Sequence, residues 1–554
     1  MNDQPVLGWW LKNALDPETG AEAVRSATHQ VARPLFLLQN DRNLSLARGG
    51  AFVPADHLPA GRTPGSDCFP VQAYVPPLHP EQFGGARFKA DLNIRYPYVI
   101  GAMANGITSV EMVKAAGKAG MIGFFGAAGL VPAQIDDAIL HLQRRLDGAP
   151  FGINLIHSPF DPELEKTTVA LYLQRGVQVV SASAFMTITP HLVHYRLKGL
   201  HRSDAGQIIA PNRVIAKVSR EEVATRFLSP PPEKAVAALR GQGLITETEA
   251  RLAASIPMAD GLTAEADSGG HTDNRAALTL FPIMTALRDV MTARHGYAQP
   301  PCIGLAGGIA TPTATAAAFA MGADYVLTGS INQSCLEAGT SEAVRRMLAS
   351  AGQADVTMAP AADMFEMGVK VQVLKRGTMF ALRAAKLYEL YDRHPRYEDI
   401  PPQDRSFIEK TLFRRSFEEE WESTRAYFAG RDPAQIEKAE NDPRHRMALV
   451  FRSYLGQSSH WANAGDPARR MDYQIWCGPA MGAFNRWTSG TFLEGPEKRR
   501  TVTVALNLLW GAAVLERLRL MRHQGVVLPP GFDAVRPQPL NVLNAHLGGC
   551  PATC

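Results

Sequence analysis

The chain has 554 residues, 46% hydrophobic and 20% charged, with a formal net charge of +4. That is the composition of an ordinary globular protein with ample core, divided into roughly two to four domains. The mild positive charge excludes a nucleic-acid binder built on dense Lys/Arg stripes. Six cysteines (Cys68, Cys302, Cys335, Cys477, Cys550 and Cys554) are scattered without a CxxC pair, and only the last two are close, in the tail GGCPATC. They read as free thiols in a reducing cytoplasm. No basic-then-apolar segment follows Met1, so no signal peptide is expected. No apolar run is expected to span a bilayer.

Residues 1–85 are rich in Pro, Gly and Arg with short apolar runs, which predicts a small irregular or β-containing entry region. From Phe88 the rhythm changes. Eight short, nearly continuous apolar runs follow: YPYVIGAM from Tyr96, GMIGFFG from Gly120, FGINLI from Phe151, VQVVSASAF from Val177, VIAKVS from Val214, Leu262–Asp267, PCIGLAG from Pro301 and DYVLTG from Asp324. Helical segments alternate with them, as in Pro132–Leu146 and Pro312–Met321. Such runs suit strands covered on both faces. Their number and total length predict a (β/α)8 TIM barrel over residues 86–354, with a doubly wound open sheet as the alternative. Polar and glycine-rich tails follow the strands, and in a barrel these converge on the face where active sites lie.

About 40 residues separate the fifth and sixth strands, where one helix would suffice. The segment 219–260 is therefore predicted to be a helical insertion beside the barrel mouth, either a lid or docking element or a decoration of the scaffold. After Ala351 the composition changes again, and 355–554 is expected to be a separate, mostly helical domain. Within it, the mixed segment Asp363–Phe380 is a candidate for closing over the site, and Asp472–Trp487 is dense in aromatics and glycine.

The polar cluster AEADSGGHTDNR, Ala264–Arg275, ends the sixth strand. Glycines there let the backbone approach a ligand, and a histidine exchanges protons near neutral pH. AGGIATP from Ala306 and TGS from Thr328 end the next two strands. Barrels often bind phosphate on the loops after strands seven and eight, and Thr311 and Pro312 open a helix whose free N–H groups suit an anion. Lys217 lies in an otherwise apolar strand, where burial requires an anionic partner. Asn154 ends the third strand, where it can hydrogen-bond a flat ring, and Met103 can pack on one. The series Gly117, Gly120, Gly123, Gly126, Gly129 is not a dinucleotide fingerprint, because its spacing is every third residue. No metal set emerges, since His191, His194 and His201 have no carboxylate or cysteine at ligand spacing.

Together these motifs resemble the superfamily of nitronate monooxygenases and FMN-dependent enoyl reductases. The phrases GAMANGI, GFFGAAG, AKVSREEVA, EADSGGHTDNR, GADYVLTGSINQ, APAADMFEMGVKVQVLKRGTMF and DYQIWCGPAMGAFN are similar to its PfaD branch, over about residues 33–527. These are trans-acting enoyl reductases of polyunsaturated fatty acid and polyketide synthases. The resemblance implies FMN at the barrel mouth, NADPH as reductant, and an enoyl thioester on an acyl carrier protein as substrate. It implies that Gly101, Ala102 and Met103 line the flavin and that Asn154 and Lys217 meet its polar edge. Ser268, Gly269, Gly270, Gly307, Gly308, Gly329 and Ser330 would hold the ribityl and phosphate groups. His271 would be the proton donor. Arg213, Lys217, Arg220, Lys370, Lys375 and Arg376 are the basic candidates near the mouth for an acidic carrier. No nucleic acid or membrane is expected as a partner, and a homodimer is compatible with the resemblance. The competing reading is a nitronate monooxygenase oxidising nitroalkanes with O2.

Overall fold

Eight parallel strands close into a barrel in the computed structural model, which describes residues 7–12, 16–39, 44–57, 66–157 and 162–548. The strands are β1 (Tyr98–Ile100), β2 (Ile122–Phe125), β3 (Gly152–Ile156), β4 (Val179–Ser183), β5 (Arg213–Val218), β6 (Gly261–Glu265), β7 (Cys302–Ala306) and β8 (Val326–Thr328). Each coincides with one of the eight apolar runs, and the pairing of Leu327 with Val99 closes the ring. Successive side chains of a strand face opposite ways. One set, including Val99, Ile122, Phe124, Val179, Ile215 and Leu327, forms a core inside the barrel. The alternate set packs outward on the helices. Helix Ala86–Leu92 plugs the end where the strands begin, with Phe88 stacked 4.0 Å from Tyr325.

The N-terminal region is more regular than its composition suggested. It forms a six-stranded antiparallel sheet from Gly8 to Val75, with helix Ala21–His29 on it. Trp10 is buried at its centre, where its indole N–H donates to the Gly49 carbonyl at 2.7 Å. Helix Thr501–His523 holds this sheet to the barrel. Trp510 donates to the His29 carbonyl at 3.0 Å, and Gly511 lies against Pro312 of a barrel helix. That helix is long and apolar enough to cross a membrane by length and composition, contrary to the expectation that no run is. With 89% of its most apolar window buried, it is a core helix here.

The insertion lies elsewhere than expected. Helix Glu221–Leu228 directly follows β5 and is an ordinary barrel helix. Helices Glu233–Gly241 and Glu247–Ala253 pack on helix Pro190–Leu197, at the end of the barrel where strands begin. Buried Arg196 ties them there by donating to Asp260 at 2.8 and 3.1 Å and to the carbonyls of Pro257 and Asn212. The pair therefore sits opposite the glycine-ended mouth and cannot act as a lid. The physical reason is the handedness and length of a βα unit: its first helix already returns the chain to the underside, so the extra residues accumulate there.

Residues 355–548 hold two cores rather than one. Residues between Ala359 and Leu455 form a helical module with its own apolar cluster. Residues from Tyr473 onward rejoin the barrel's outer core. The module includes a π-helical turn, Ile408–Phe413, that ends in Arg414 in the left-handed region at φ 62°.

Candidate active site at the barrel mouth

Strand alternation fixes which side chains reach the mouth from inside. Ile153 and Leu155 point outward, so Asn154 points inward; by the same rule Ser183, Lys217 and Glu265 form the top interior layer. Asn154 is buried and accepts from Ser183 Oγ at 3.1 Å. Lys217 meets Glu265 at 2.7 Å, each side chain 18% exposed. The anionic partner that a buried lysine requires is thus supplied by the protein itself, two residues before Asp267. Ser268 Oγ approaches the same carboxylate at 3.4 Å.

Removing one partner of such a pair strands the other. Lys217→Met is expected to lower stability by about 2 kcal/mol, below the range for fully buried pairs because both groups keep some solvent. The double variant Lys217→Met, Glu265→Leu should recover most of the loss. Urea midpoints of the parent, the single variants Lys217→Met and Glu265→Leu, and the double variant measure the coupling.

His271 stands on a short strand, Gly270–His271, that pairs with Lys370–Leu374, itself paired with Val356–Pro360. The Asp363–Phe380 segment therefore does lie over the mouth, contributing the central strand of a three-stranded sheet whose edge strand carries the histidine. His271 Nε2 and Asp363 Oδ1 are 3.2 Å apart, and Nδ1 has no partner among the described residues. Burial works against an imidazolium here, but the hydrogen bond and charge of Asp363 outweigh it, so the His271 pKa is raised above 6.5. Burial likewise opposes the charge on Asp363, yet His271 holds its carboxyl below the ordinary value.

The glycines divide into two groups. At Gly270 (φ 80°), Gly308 (φ 79°) and Gly329, a Cβ would meet nothing within 4 Å, so open space lies over these three strand ends. The other three are used for close packing. A Cβ on Gly101 would stand 2.6 Å from Leu327, one on Gly307 2.6 Å from the Ala266 backbone, and one on Gly269 2.9 Å from the backbone of Cys477. Ser330 Oγ accepts from Gly478 N at 3.1 Å. Gln372 Nε2 donates to Asp267 Oδ1 and to the Ser268 carbonyl, each at 2.8 Å. The loop after β6 is thus clamped between residues 372 and 477–478.

Two expectations about this face are corrected. The helix opening at Pro312 is not a free anion site: Thr311 caps it by accepting from Ala314 N at 3.2 Å, and Gly511 covers Pro312. Open backbone remains instead at Gly308 and Gly329. Arg213 is not at the mouth, because it begins β5 on the underside and pairs with Asp91 and Asp260. Of the other basic candidates, Arg220 is held by Asp273, whose carboxyl is lowered to about 2 chiefly by that bond, and Arg376 pairs with Asp355. Lys370 is exposed and starts the covering strand.

In the loop after β1, Thr108 Oγ1 donates to the Gly101 carbonyl and accepts from Met103 N, which fixes the turn. Ala102 is half-buried against the barrel interior, whereas Met103 packs on the outer core. Asn105 Nδ2 reaches Ser459 Oγ of helix Pro443–Ala464 at 3.0 Å. Sequence reasoning missed Glu265, Asp363, Gln372 and the Cys477–Gly478 contact. Only Glu265 had a usable local signal, as an inward position on β6 diagonal to Lys217.

The residues present suit a flavin nucleotide. Three glycine ends leave room for a phosphate-bearing chain, and Lys217, Asn154 and Ser183 offer cationic and polar groups toward the mouth.

The family model for nitronate monooxygenase matches residues 87–393. That for the inserted helical domain of [acyl-carrier-protein] S-malonyltransferase matches residues 394–473. The chain is 45% identical over 456 residues to a polyunsaturated fatty acid synthase subunit of Thraustochytrium sp., covering 81% of this chain and 30% of that protein. It is 46% identical over 444 residues to polyketide biosynthesis protein PksE of Bacillus subtilis, covering 80% and 58%. The chain thus spans less than two thirds of these curated relatives. The crystal structure of the enoyl reductase domain of MlnA, from the macrolactin cluster of Bacillus amyloliquefaciens, superposes with TM-score 0.75 at 38% identity, covering 80% of this chain and 99% of that one.

Proposed function

The chain belongs to the nitronate monooxygenase family, and from that premise we propose that it is an FMN-dependent enoyl reductase acting on enoyl thioesters of an acyl carrier protein, with NADPH as reductant. The observation that carries the reading is His271, paired with Asp363 and set at the mouth beside the Lys217–Glu265 pair and three open glycine ends. The family likeness to an enoyl reductase domain and to synthase subunits supports the substrate class.

In this reading Gly270, Gly308 and Gly329 make room for the ribityl and phosphate groups, while Lys217 and Asn154 face the ring's polar edge. Held there and reduced by NADPH, FMN would supply the hydride that the substrate's β-carbon receives. Negative charge then develops on the thioester oxygen and α-carbon. His271, whose imidazolium form Asp363 favours, donates the proton to the α-carbon. Lys217 lies where a cation stabilises negative charge. Glu265 holds its ammonium in place, and the strand Lys370–Leu374 with residues 475–478 restricts water at the mouth. The helical module, similar to an insert of an enzyme that serves acyl carrier protein, is the expected side of approach for the carrier.

NADPH oxidation with a crotonyl thioester, set against O2 uptake with a nitroalkane, tests the reading. Faster thioester-dependent NADPH loss is expected, whereas turnover of the nitroalkane alone would overturn it in favour of a nitronate monooxygenase.

Gly308→Val is expected to weaken flavin retention at least tenfold, because its side chain enters the open space and its left-handed backbone costs about 1–2 kcal/mol. Gly322→Val is the control. It has a similar positive φ and open surroundings at the end of helix Pro312–Ala320. The ratio of flavin to protein absorbance after gel filtration should fall only for the first variant.

A further inference from the structure

A cavity of about 330 Å³ lies in the helical module, on the face of helix Pro443–Ala464 that carries Tyr454, Gln457 and Trp461. The same helix presents Ser458 and Ser459 on another side, toward residue 474 and the loop after β1. The cavity is therefore separate from the site at the barrel mouth. Its wall opposite the helix is Arg414 and Arg415, which follow the π-helical turn, and Arg469. Such turns interrupt a helix at some cost and are frequent at functional sites, and Arg414 adds a left-handed non-glycine residue at the cavity edge.

The charge around the cavity does not balance. Arg383, Arg414 and Arg469 surround Asp472, and Arg415 pairs with Glu420. Four guanidinium groups meet two buried carboxylates, with exposed Glu419 also near Arg415, which leaves a surplus of positive charge. Part of this cationic set is structural: Arg469 donates to the carbonyls of Leu412 and Phe413, and Arg414 to that of Ala468. Those contacts use one edge of each group. Arg414 Nε and Nη1 and Arg415 Nη1 have no protein partner among the described residues. Trp461, with Arg469 stacked 4.2 Å over its ring, gives the wall a flat apolar part.

We propose that this cavity is a second ligand site, which takes a phosphate monoester carried on a nucleoside-sized body. A phosphate monoester holds close to two negative charges at neutral pH and accepts several charge-assisted bonds at once. Arginine forks suit it better than they suit a single carboxylate. The volume is at the small end for ligand pockets and admits a planar base against Trp461. The proposal is independent of the reaction assigned to the barrel.

Calorimetric titration of the full chain with adenosine 2′-monophosphate, adenosine 3′-monophosphate and adenosine tests it. At least one nucleotide should bind tenfold or more tightly than adenosine. Preference for the 2′-phosphate would identify a phosphorylated nicotinamide dinucleotide as the source, and preference for the 3′-phosphate a coenzyme A thioester. Gln457→Glu places a second carboxylate beside Glu420 on the cavity wall, cancels positive charge there and should weaken the nucleotide tenfold or more, with circular dichroism unchanged. Arg415→Gln should act in the same direction. Should Arg415→Gln fail to fold, Gln457→Glu still decides. Nucleotides that bind no better than adenosine, or a folded Gln457→Glu protein with unaltered affinity, would overturn the proposal.

Discussion

His271→Gln should lower turnover of an enoyl thioester by a factor of about 10² to 10⁴, the usual contribution of a positioned general acid. Flavin content and fold should be retained, because the side chain is 39% exposed and its one polar tie is to Asp363. The pH profile carries further information. The folded-state pKa of His271 is raised, so the imidazolium persists to higher pH than in an unpaired histidine, and activity that needs it is lost as pH rises through that raised value. Asp363→Asn removes the hydrogen-bonded charge and leaves burial and the Lys217 charge opposed only by Glu265, so the alkaline limb should move to lower pH. Unaltered turnover in His271→Gln, or a limb that stays in place in Asp363→Asn, would remove His271 from the role of proton donor.

Asp472→Ala should destabilise the protein by about 3–5 kcal/mol, the range for breaking a buried ion pair. Asp472 is fully buried and binds Arg383, Arg469 and the hydroxyl of Tyr454, the last at 2.6 Å. Burial, then the Asp472 charge, raises the Tyr454 pKa far above its ordinary value, so the tyrosine stays a neutral donor to the carboxylate. Without Asp472, the guanidinium groups of Arg383 and Arg469, 15% and 13% exposed, lose their buried anion. Asp472→Asn keeps the shape and some hydrogen bonds, so it should cost less. Because residues 473–478 run directly from Asp472 to the loop beside His271, the unfolding midpoint and thioester turnover should fall together. A midpoint within experimental scatter of the parent would rule out a stabilising role for the cluster.

The barrel was legible because its signals are local. Each strand announces itself within a few residues, as VIAKVS and PCIGLAG do, and each functional strand end carries its glycine or polar residue in the same run. Lys217 needed an anion by simple electrostatics, and only the identity of that anion was hidden. Gly269 and Gly307 read in sequence as points where a ligand comes close, but what approaches them is protein backbone, which is indistinguishable in sequence from a ligand. The insertion was misplaced because its helical pattern gives length and amphipathicity without saying which end of the barrel it joins.

The sequence by itself determined the eight-stranded barrel, the convergence of its glycine-ended strands, and His271 among them. Period-two burial and backbone freedom at glycine are properties of adjacent residues, so no distant partner is needed to read them. The tertiary structure alone decided that Asp363, 92 residues away, tunes that histidine, and that Gly478, 148 residues beyond Ser330, clamps the neighbouring strand end. It also decided that the histidine sits on the edge strand of a small sheet rather than on an open turn. Those contacts depend on how separately folded stretches pack, and a single chain of letters carries no periodicity for an interaction whose two halves lie so far apart.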